Sequence, residues 1–295
     1  MTALSTAFFQ DGTFIHVPGN KALQYPVQVL YINDVSNADL FIQPRNLVVM
    51  EESAELTLME NYLTIGESYS FMNYVTEVYV GANAGFTHYK MQNDRYNAYQ
   101  VNTVQVWQER DSRVTNFTTT LGNGFTRNNT NIEVGGENCL TNLYGLYMTH
   151  DRQFADNHTI VDHKFPNCES NELYKGIMDD ESTAVFNGKV FVRPDAQKVN
   201  AFQSNRNTLL ADKANIFTKP QLEIWADDVQ CSHGATSGQL DDRQLFYMRS
   251  RGLSYDKAEA LLVYAFAAEV IAYIDIESLK EYINNVIAKR LKINF

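Results

Sequence analysis

Short runs that alternate apolar and polar residues dominate the chain over residues 8–228. In residues 221–226, for example, Leu222, Ile224 and Ala226 share one face of an extended chain, because side chains alternate with a period of two. Similar β-favouring runs are PVQVLYI, NLVVMEESAELTLME, NYVTEVYVGAN, NTVQVWQE and AVFNGKVFV. Each run is typical of a strand that turns one face toward a core, so this region is predicted to be mainly β.

The runs recur about every ten residues, which fits either a β-sandwich or a β-solenoid. The segments between them are rich in Asn, Asp and Gly, and GNGFTRNNTN and VGGEN are interpreted as turns. No strict repeat motif is present. Because stacked asparagines at the corners of a parallel solenoid can satisfy one another, the composition favours the solenoid but leaves the sandwich open.

Helical periodicity begins after Gly238, where the chain predicts three helices. Asp241 is predicted to cap the first helix, Gly252 to end it in the left-handed conformation, and Ser254 to cap the second. The predicted division is therefore a β core domain over residues 1–238 and a C-terminal helical domain over residues 239–295.

Composition and charge narrow the function. The chain has 295 residues, of which 44% are hydrophobic, and its formal net charge is −11. An acidic surface repels nucleic acids and anionic membranes, so neither is an expected partner. The opening MTALSTAFFQDG lacks the features of a signal peptide, and the three cysteines are few and odd in number, which predicts the cytoplasm. No Walker A, G-x-S-x-G or G-x-G-x-x-G motif occurs, so neither ATP hydrolysis nor dinucleotide binding is expected by those devices.

One candidate site is DDVQCSHGATSGQLDD, where Cys231 and His233 stand two positions apart. On a strand both side chains would project from one face and could reach a common metal ion. A thiolate and an imidazole suit zinc or an iron–sulfur centre but supply only part of a coordination shell. The alternative is that Cys231 is an ordinary buried residue and His233 a hydrogen-bonded turn residue.

A second cluster lies in DNHTIVDHKFPNCES, which holds His158, Asp162, His163 and Cys168. Its spacing matches neither a helical metalloprotease pair nor a zinc finger, so a loop with satisfied polar groups is the favoured interpretation. Cys139 is interpreted as a packing residue.

Several longer segments, taken together, resemble those of a known protein family. KPQLEIWADDVQCSHGATSGQLDDRQLFYMRSRG, together with FFQDGTFIHVP, LYKGIM, FNGKVFV and DAQKVNAFQSNRNTLLAD in the same order, resembles the SufB/SufD family of the SUF iron–sulfur cluster assembly system. The CSHGAT segment is most like the SufD branch. A departure is that the family's N-terminal helical domain has no counterpart, and the opening residues are interpreted as early solenoid strands.

The resemblance implies a right-handed parallel β-helix followed by a small α-helical domain, and a non-enzymatic assembly subunit. It implies a SufB-type paralogue bound through the β-helix and a SufC-type ATPase bound through the C-terminal helices, with a homodimer possible in isolation. His233 and Cys231 would contact a transient iron–sulfur cluster or iron shared with the partner. Expected ATPase-binding residues are Asp241, Phe246, Tyr247, Arg249, Arg251 and Gly252.

Two alternatives remain open from the sequence. One is a SufB-like scaffold that holds the cluster itself, although the glutamate that SufB carries in the matching segment is absent beside His233. The other is a β-helical carbohydrate-active enzyme, which would be expected to show a secretion signal and a groove of charged residues.

Overall fold

The computed structural model describes residues 1–292 of the chain, and the last three residues of the predicted helical domain lie outside it. Most of the described chain forms long parallel strands. The strands are β1 Phe14–Val17, β2 Val27–Asp34, β3 Leu40–Ile42, β4 Arg45–Met50, β5 Glu55–Ile65, β6 Ser70–Val80, β7 Gly85–Gln92, β8 Ala98–Gln108, β9 Arg113–Thr120, β10 Phe125–Val134, β11 Leu140–Thr149, β12 Phe154–His163, β13 Glu169–Met178, β14 Thr183–Val192, β15 Asn200–Leu209, β16 Asn215–Ile224 and β17 Gln230–Gly238. The helices are α1 Thr2–Phe8, α2 Asp242–Ser250, α3 Tyr255–Ile271 and α4 Glu277–Arg290.

The strands build two sheets that the chain visits alternately. Sheet I has nine strands, namely β1, β3 and the even-numbered strands from β4 to β16, and sheet II has eight, namely β2 and the odd-numbered strands from β5 to β17. Every strand pairing among the described residues is parallel. Asn128 pairs with Asn157 of the next coil, 29 residues later. The predicted parallel solenoid is confirmed.

The interior of the solenoid is filled by alternate residues of the two sheets. On β14, Ala184, Phe186, Gly188, Val190 and Val192 are buried while the residues that alternate with them are partly exposed. The inward apolar residues of successive coils form one continuous core. Part of the interior is polar instead: Asn128 Nδ2 donates to Asn157 Oδ1 at 3.0 Å. Stacked amides satisfy buried polar groups between coils, which is why an Asn-rich strand can be buried.

Two predictions about local structure are wrong. Residues 125–134, which include most of the segment interpreted as a turn, form β10, because stacking between coils satisfies their asparagines. Of the opening residues interpreted as solenoid strands, Thr2–Phe8 form helix α1 instead, whereas Phe14–Val17 form strand β1 as predicted. This helix is attached to sheet I, since Asn73 Nδ2 donates to the Met1 carbonyl at 3.1 Å and Arg45 Nη1 donates to Thr6 Oγ1 at 2.8 Å.

Corners between strands use asparagine and aspartate in the left-handed conformation, among them Asn83, Asp111 and Asn138. Asn138 Nδ2 donates to Asp111 Oδ1 of the preceding coil at 3.0 Å, and Asn83 Nδ2 donates to Ser53 Oγ at 3.0 Å. The corner asparagines therefore bond to aspartate and serine, and the asparagine ladder lies on the strands.

The three C-terminal helices have the predicted ends. Asp241 accepts a hydrogen bond from the Arg243 amide at the start of α2, Gly252 has a φ of +94° after its end, and Ser254 caps α3. Helices α3 and α4 pack on the outer face of sheet II, against Tyr89, Phe117, Tyr144, Leu146 and Ile177. Glu269 of α3 pairs with Lys175 and, at 2.9 Å, with Arg206 on that sheet. Strand β17 ends at Gly238 and α2 begins at Asp242, while the division into two domains stays a prediction.

None of the helices described is long and apolar enough to cross a membrane.

Candidate functional site

Strand β17 lies at the end of sheet II and pairs on one side with β15; no described strand pairs with its other side. Cys231 is opposite Ala201 and His233 is opposite Gln203, and both β15 residues are buried in the solenoid. Because aligned residues of parallel neighbours point to the same face, Cys231 and His233 share the inward face of β17. The predicted common face is therefore present, on a strand of its own and separate from β16.

This inward face is open to solvent because no further coil covers it. Eight of the strand's nine residues are exposed, His233 among them, while Cys231 is half-buried and packs against the solenoid core. Sheet I ends at the same level, at β16. The last coil thus presents a thiol, an imidazole and an unpaired strand edge to solvent.

Burial raises the pKa of the Cys231 thiol above its ordinary value, and a weaker backbone contact at Ala201 acts in the opposite direction. The thiol is therefore mainly protonated near neutral pH, and binding a metal would release its proton. Reactivity at Cys231 thus depends on a metal or a partner group that stabilises the thiolate.

Two buried polar residues on strands β15 and β13, in register with His233, were not predicted from the sequence. His233, Gln203 and Glu172 occupy aligned positions on β17, β15 and β13. Gln203 Nε2 donates to Glu172 Oε2 at 2.6 Å, and burial raises the pKa of Glu172 to about 7. Their sequence spacing suits no local motif, so only the register of the coils could reveal this column.

A cavity of about 560 Å³ lies beside the open edge. It is bounded by Phe202, Ser232 and His233 from the last strands and by Tyr144 and Tyr273, whose rings stack with centroids 4.2 Å apart. Tyr273 follows α3, so the cavity lies between the helices and the edge of sheet II. A partner that paired with β17 would also contact this cavity.

The predicted ATPase-binding residues lie on and around α2. Phe246 and Tyr247 are 75% and 59% exposed. The Arg251 guanidinium lies 5.2 Å from the Tyr247 ring centroid, and Arg249 lies 6.0 Å from that of Tyr255. These side chains form an exposed aromatic and basic patch, which is a typical composition for a protein interface. Asp241 caps the start of α2, and Gly252 follows its end in the left-handed conformation.

The second cluster does not come together as one site. Its histidines lie on strand β12, so the predicted loop is wrong there. His163 points inward and donates to or accepts from Ser170 Oγ at 2.9 Å, and burial lowers its pKa to about 4. His158 lies on the opposite face, and Asp162 pairs with Arg193 at 2.7 Å. Cys168 is buried.

Within residues 1–292, one group of three His, Cys, Asp or Glu side chains has ligand atoms close enough for a metal, namely His150, Asp151 and Asp180. Those residues lie at solvent-facing corners. Cys231 and His233 have no third such ligand within the described part of the chain.

Comparison with known proteins gives a consistent family assignment. Residues 31–266 match the model of the SufBD core domain of the SUF system of FeS cluster assembly. An iron–sulfur cluster assembly SufBD family protein of Synechocystis is 37% identical over 295 residues, covering 97% of this chain and 65% of the relative. The iron–sulfur cluster assembly protein SufD of Escherichia coli is 34% identical, covering 84% of this chain and 58% of the relative. SufD of Bacillus subtilis is 30% identical, covering 99% of this chain and 67% of the relative.

Proposed function

Because the chain belongs to the SufBD family of the SUF system, we propose that it is a SufD-like subunit of an iron–sulfur cluster assembly complex. It spans about two thirds or less of the length of these relatives. The observation that carries the proposal is the open last coil, which places Cys231 and His233 beside an unpaired strand edge. A SufB-type paralogue is the proposed partner at this edge.

Strand addition explains how such a partner would bind. The unpaired edge of a strand presents backbone donors and acceptors. The edge of a strand from a partner can form hydrogen bonds with them. The partner would then cover the exposed inward face of β17 and exclude water from it. In that closed space Cys231 and His233 offer one sulfur and one nitrogen ligand to the cluster that is being assembled, and the partner supplies the others.

The incomplete ligand set favours this arrangement over a scaffold that holds the cluster alone. Iron in such clusters is held by four protein or sulfide ligands, and two side chains from one strand cannot complete a site. A cluster or iron atom is therefore shared, transient cargo and not a resident group of this chain. The proposed role is structural and non-enzymatic, with ATP hydrolysis in a SufC-type ATPase.

The ATPase is proposed to bind the patch of Phe246, Tyr247, Arg249 and Arg251. Movement of α2 would reach the solenoid through α3, because Glu269 of α3 joins Lys175 and Arg206 of sheet II. Arg206 lies on β15, the strand next to β17. Helix movement could thus be transmitted to the edge that holds the cluster. The proposed location is the cytoplasm.

The test is co-expression of the chain with its SufB-type paralogue and SufC-type ATPase, followed by size-exclusion chromatography with light scattering. A three-component assembly is expected, and recovery of the chain alone or only as a homodimer would contradict the partner proposal. His233→Ala should lower the iron and sulfide content of the assembly. Thr236→Ala, on the opposite face of the same strand and outside the cavity lining, is the matched control and should leave that content unchanged. Equal content in both variants would rule out the ligand role.

The ATPase contact is tested in the same preparation. Phe246→Ala and Tyr247→Ala remove exposed rings and should release the ATPase while the solenoid partner stays bound. Glu281→Ala, at an exposed position of α4, is the control. Unchanged ATPase recovery in the α2 variants would contradict the proposed patch.

A further inference from the structure

A cavity of about 570 Å³ lies on the outer face of sheet I, away from the last coil. It crosses four successive coils, from β8 to β14, and Met1 and Thr2 of the α1 region form one wall. Strands β8, β10, β12 and β14 supply the rest of the lining. The function proposed above makes no use of this cavity.

The lining is basic in an acidic protein. Arg127, His158 and Lys189 are its ionisable side chains, and no carboxylate lines it. The whole chain has 35 acidic against 24 basic residues, so the local sign is opposite to that of the protein. A concave surface of one sign concentrates ions of the other, which makes an anion the expected ligand.

A buried carboxylate beneath the cavity lies against two of these groups and holds Arg127 by a hydrogen bond. The Asp156 side chain is 7% exposed; its Oδ2 accepts from Arg127 Nη1 at 3.0 Å, and its Oδ1 lies 2.8 Å from His158 Nε2. Arg127 Nε also donates to Asn129 Oδ1 at 3.2 Å. The guanidinium is thereby held in place with its Nη2 group uncommitted among the described residues.

Two further polar groups are available for a ligand. Lys189 makes no ion pair within residues 1–292, and Asn187 Oδ1 is buried without a hydrogen-bond partner there. An unpaired buried acceptor has lost its hydration on folding, and a ligand hydroxyl at this position would satisfy it. Asn131 and Thr103 add polar groups to the same surface, while Val101 and Ile160 offer apolar contact.

We propose that this cavity binds a small phosphate monoester whose organic body carries hydroxyl groups, such as a sugar phosphate. Arg127 and Lys189 contact the phosphate, because a guanidinium and an ammonium match its oxygens in charge and in hydrogen bonding. Asn187 and Asn131 contact the hydroxyls. The site is a binding site and involves no covalent step. It is independent of the cluster assembly proposal, since it lies on the other sheet.

The test is isothermal titration calorimetry of the full chain at constant ionic strength, with ribose 5-phosphate, inorganic phosphate and ribose as probes. Saturable binding of ribose 5-phosphate is expected, with weaker binding of inorganic phosphate and none of ribose. Lys189→Gln and Arg127→Gln should each weaken binding by about tenfold or more. Lys257→Gln removes a charge from α3, which packs on sheet II, and should leave the affinity unchanged.

Three results would overturn the proposal. Absence of ribose 5-phosphate binding would remove the site. Equal weakening by Lys189→Gln and Lys257→Gln would show a general charge effect and no specific pocket. Equal affinity for inorganic phosphate and ribose 5-phosphate would show that the organic part of the ligand makes no contribution to binding, contrary to the proposal. Lys189 makes no structural ion pair in the described residues, so its variant tests the site even if Arg127→Gln disturbs Asp156.

Discussion

Strands β14 and β17 have the same parallel, extended conformation but different surroundings. Phe186 on β14 is fully buried between neighbouring coils, whereas His233 on β17 is exposed. β14 has β12 on one side and β16 on the other, while β17 has only β15. The inward face of a middle coil is therefore core, and the inward face of the last coil is a surface. A solenoid can thus display reactive side chains without a special loop, at the coil that has no successor.

The largest test of this difference compares truncation in the two places. Phe186→Ala should destabilise the protein by about 3–5 kcal/mol, because it removes a buried ring and leaves a cavity. His233→Ala should change stability by less than about 0.5 kcal/mol, since an exposed side chain loses few contacts. Denaturant unfolding followed by circular dichroism measures both. Similar shifts for the two variants would contradict the assignment of β17 as an open coil.

Glycine substitutions sharpen the comparison without removing any side chain. A methyl group at Gly145 would collide with the Tyr174 ring of the next coil, whereas nothing lies within 4 Å of one built at Gly234 on β17. Gly145→Ala should cost about 1–3 kcal/mol through overpacking. Gly234→Ala should be within about 0.5 kcal/mol of the parent. A strong loss of thermal stability in Gly234→Ala alone would show that the last coil is covered.

The buried carboxyl group of Glu172 predicts that stability depends on pH by about 3 kcal/mol. Burial raises the pKa of Glu172 from 4.5 to about 7, so between these values the folded protein holds a proton that the unfolded chain has lost. Stability therefore falls as the pH rises through this window and is constant above it. Glu172→Gln mimics the protonated form, so it should match the parent below about pH 4 and exceed its stability by about 3 kcal/mol at pH 8.

Because His163 also titrates differently in the folded and unfolded states, the Glu172→Gln variant must be compared directly with the parent protein at each pH. Burial lowers its pKa from 6.5 to about 4, which makes stability rise with pH over that range and partly masks the Glu172 effect. The difference between Glu172→Gln and the parent removes this contribution. Glu169→Gln, on the exposed face of the same strand, is the control. A pH-independent difference for Glu172→Gln would mean that Glu172 is not buried as described.

The smallest expected effect concerns the helices that follow the last coil. Asp241→Ala removes the carboxylate that accepts from the Arg243 amide and should cost about 1 kcal/mol. Hydrogen exchange should show faster exchange in α2 alone. Ser254→Ala is the matched variant for α3, and its effect should be confined to that helix. Faster hydrogen exchange in β17 after Asp241→Ala would contradict the expectation that the effect is confined to α2.

Much of the local structure could be predicted from the sequence because it depends on neighbouring residues. Alternation over residues 221–226 predicts a strand, and β16 covers most of it. Asp241, Gly252 and Ser254 predict helix ends through bonds and dihedral angles within a few residues. The Cys231 and His233 face follows from the two-residue period of a strand. Prediction failed at residues 125–134, where asparagine is satisfied by the next coil, 29 residues away.

The sequence alone determined the succession of β-strands, the three C-terminal helices, the shared face of Cys231 and His233 and the family resemblance, which implied the parallel β-helix. Only the tertiary structure decided which coil stays open, that Glu172 and Gln203 stand behind His233, and that Arg127, His158 and Lys189 meet on sheet I. The reason is physical. Periodicity and capping act over a few residues, whereas the register between coils joins residues about thirty positions apart through backbone pairing that no local pattern encodes.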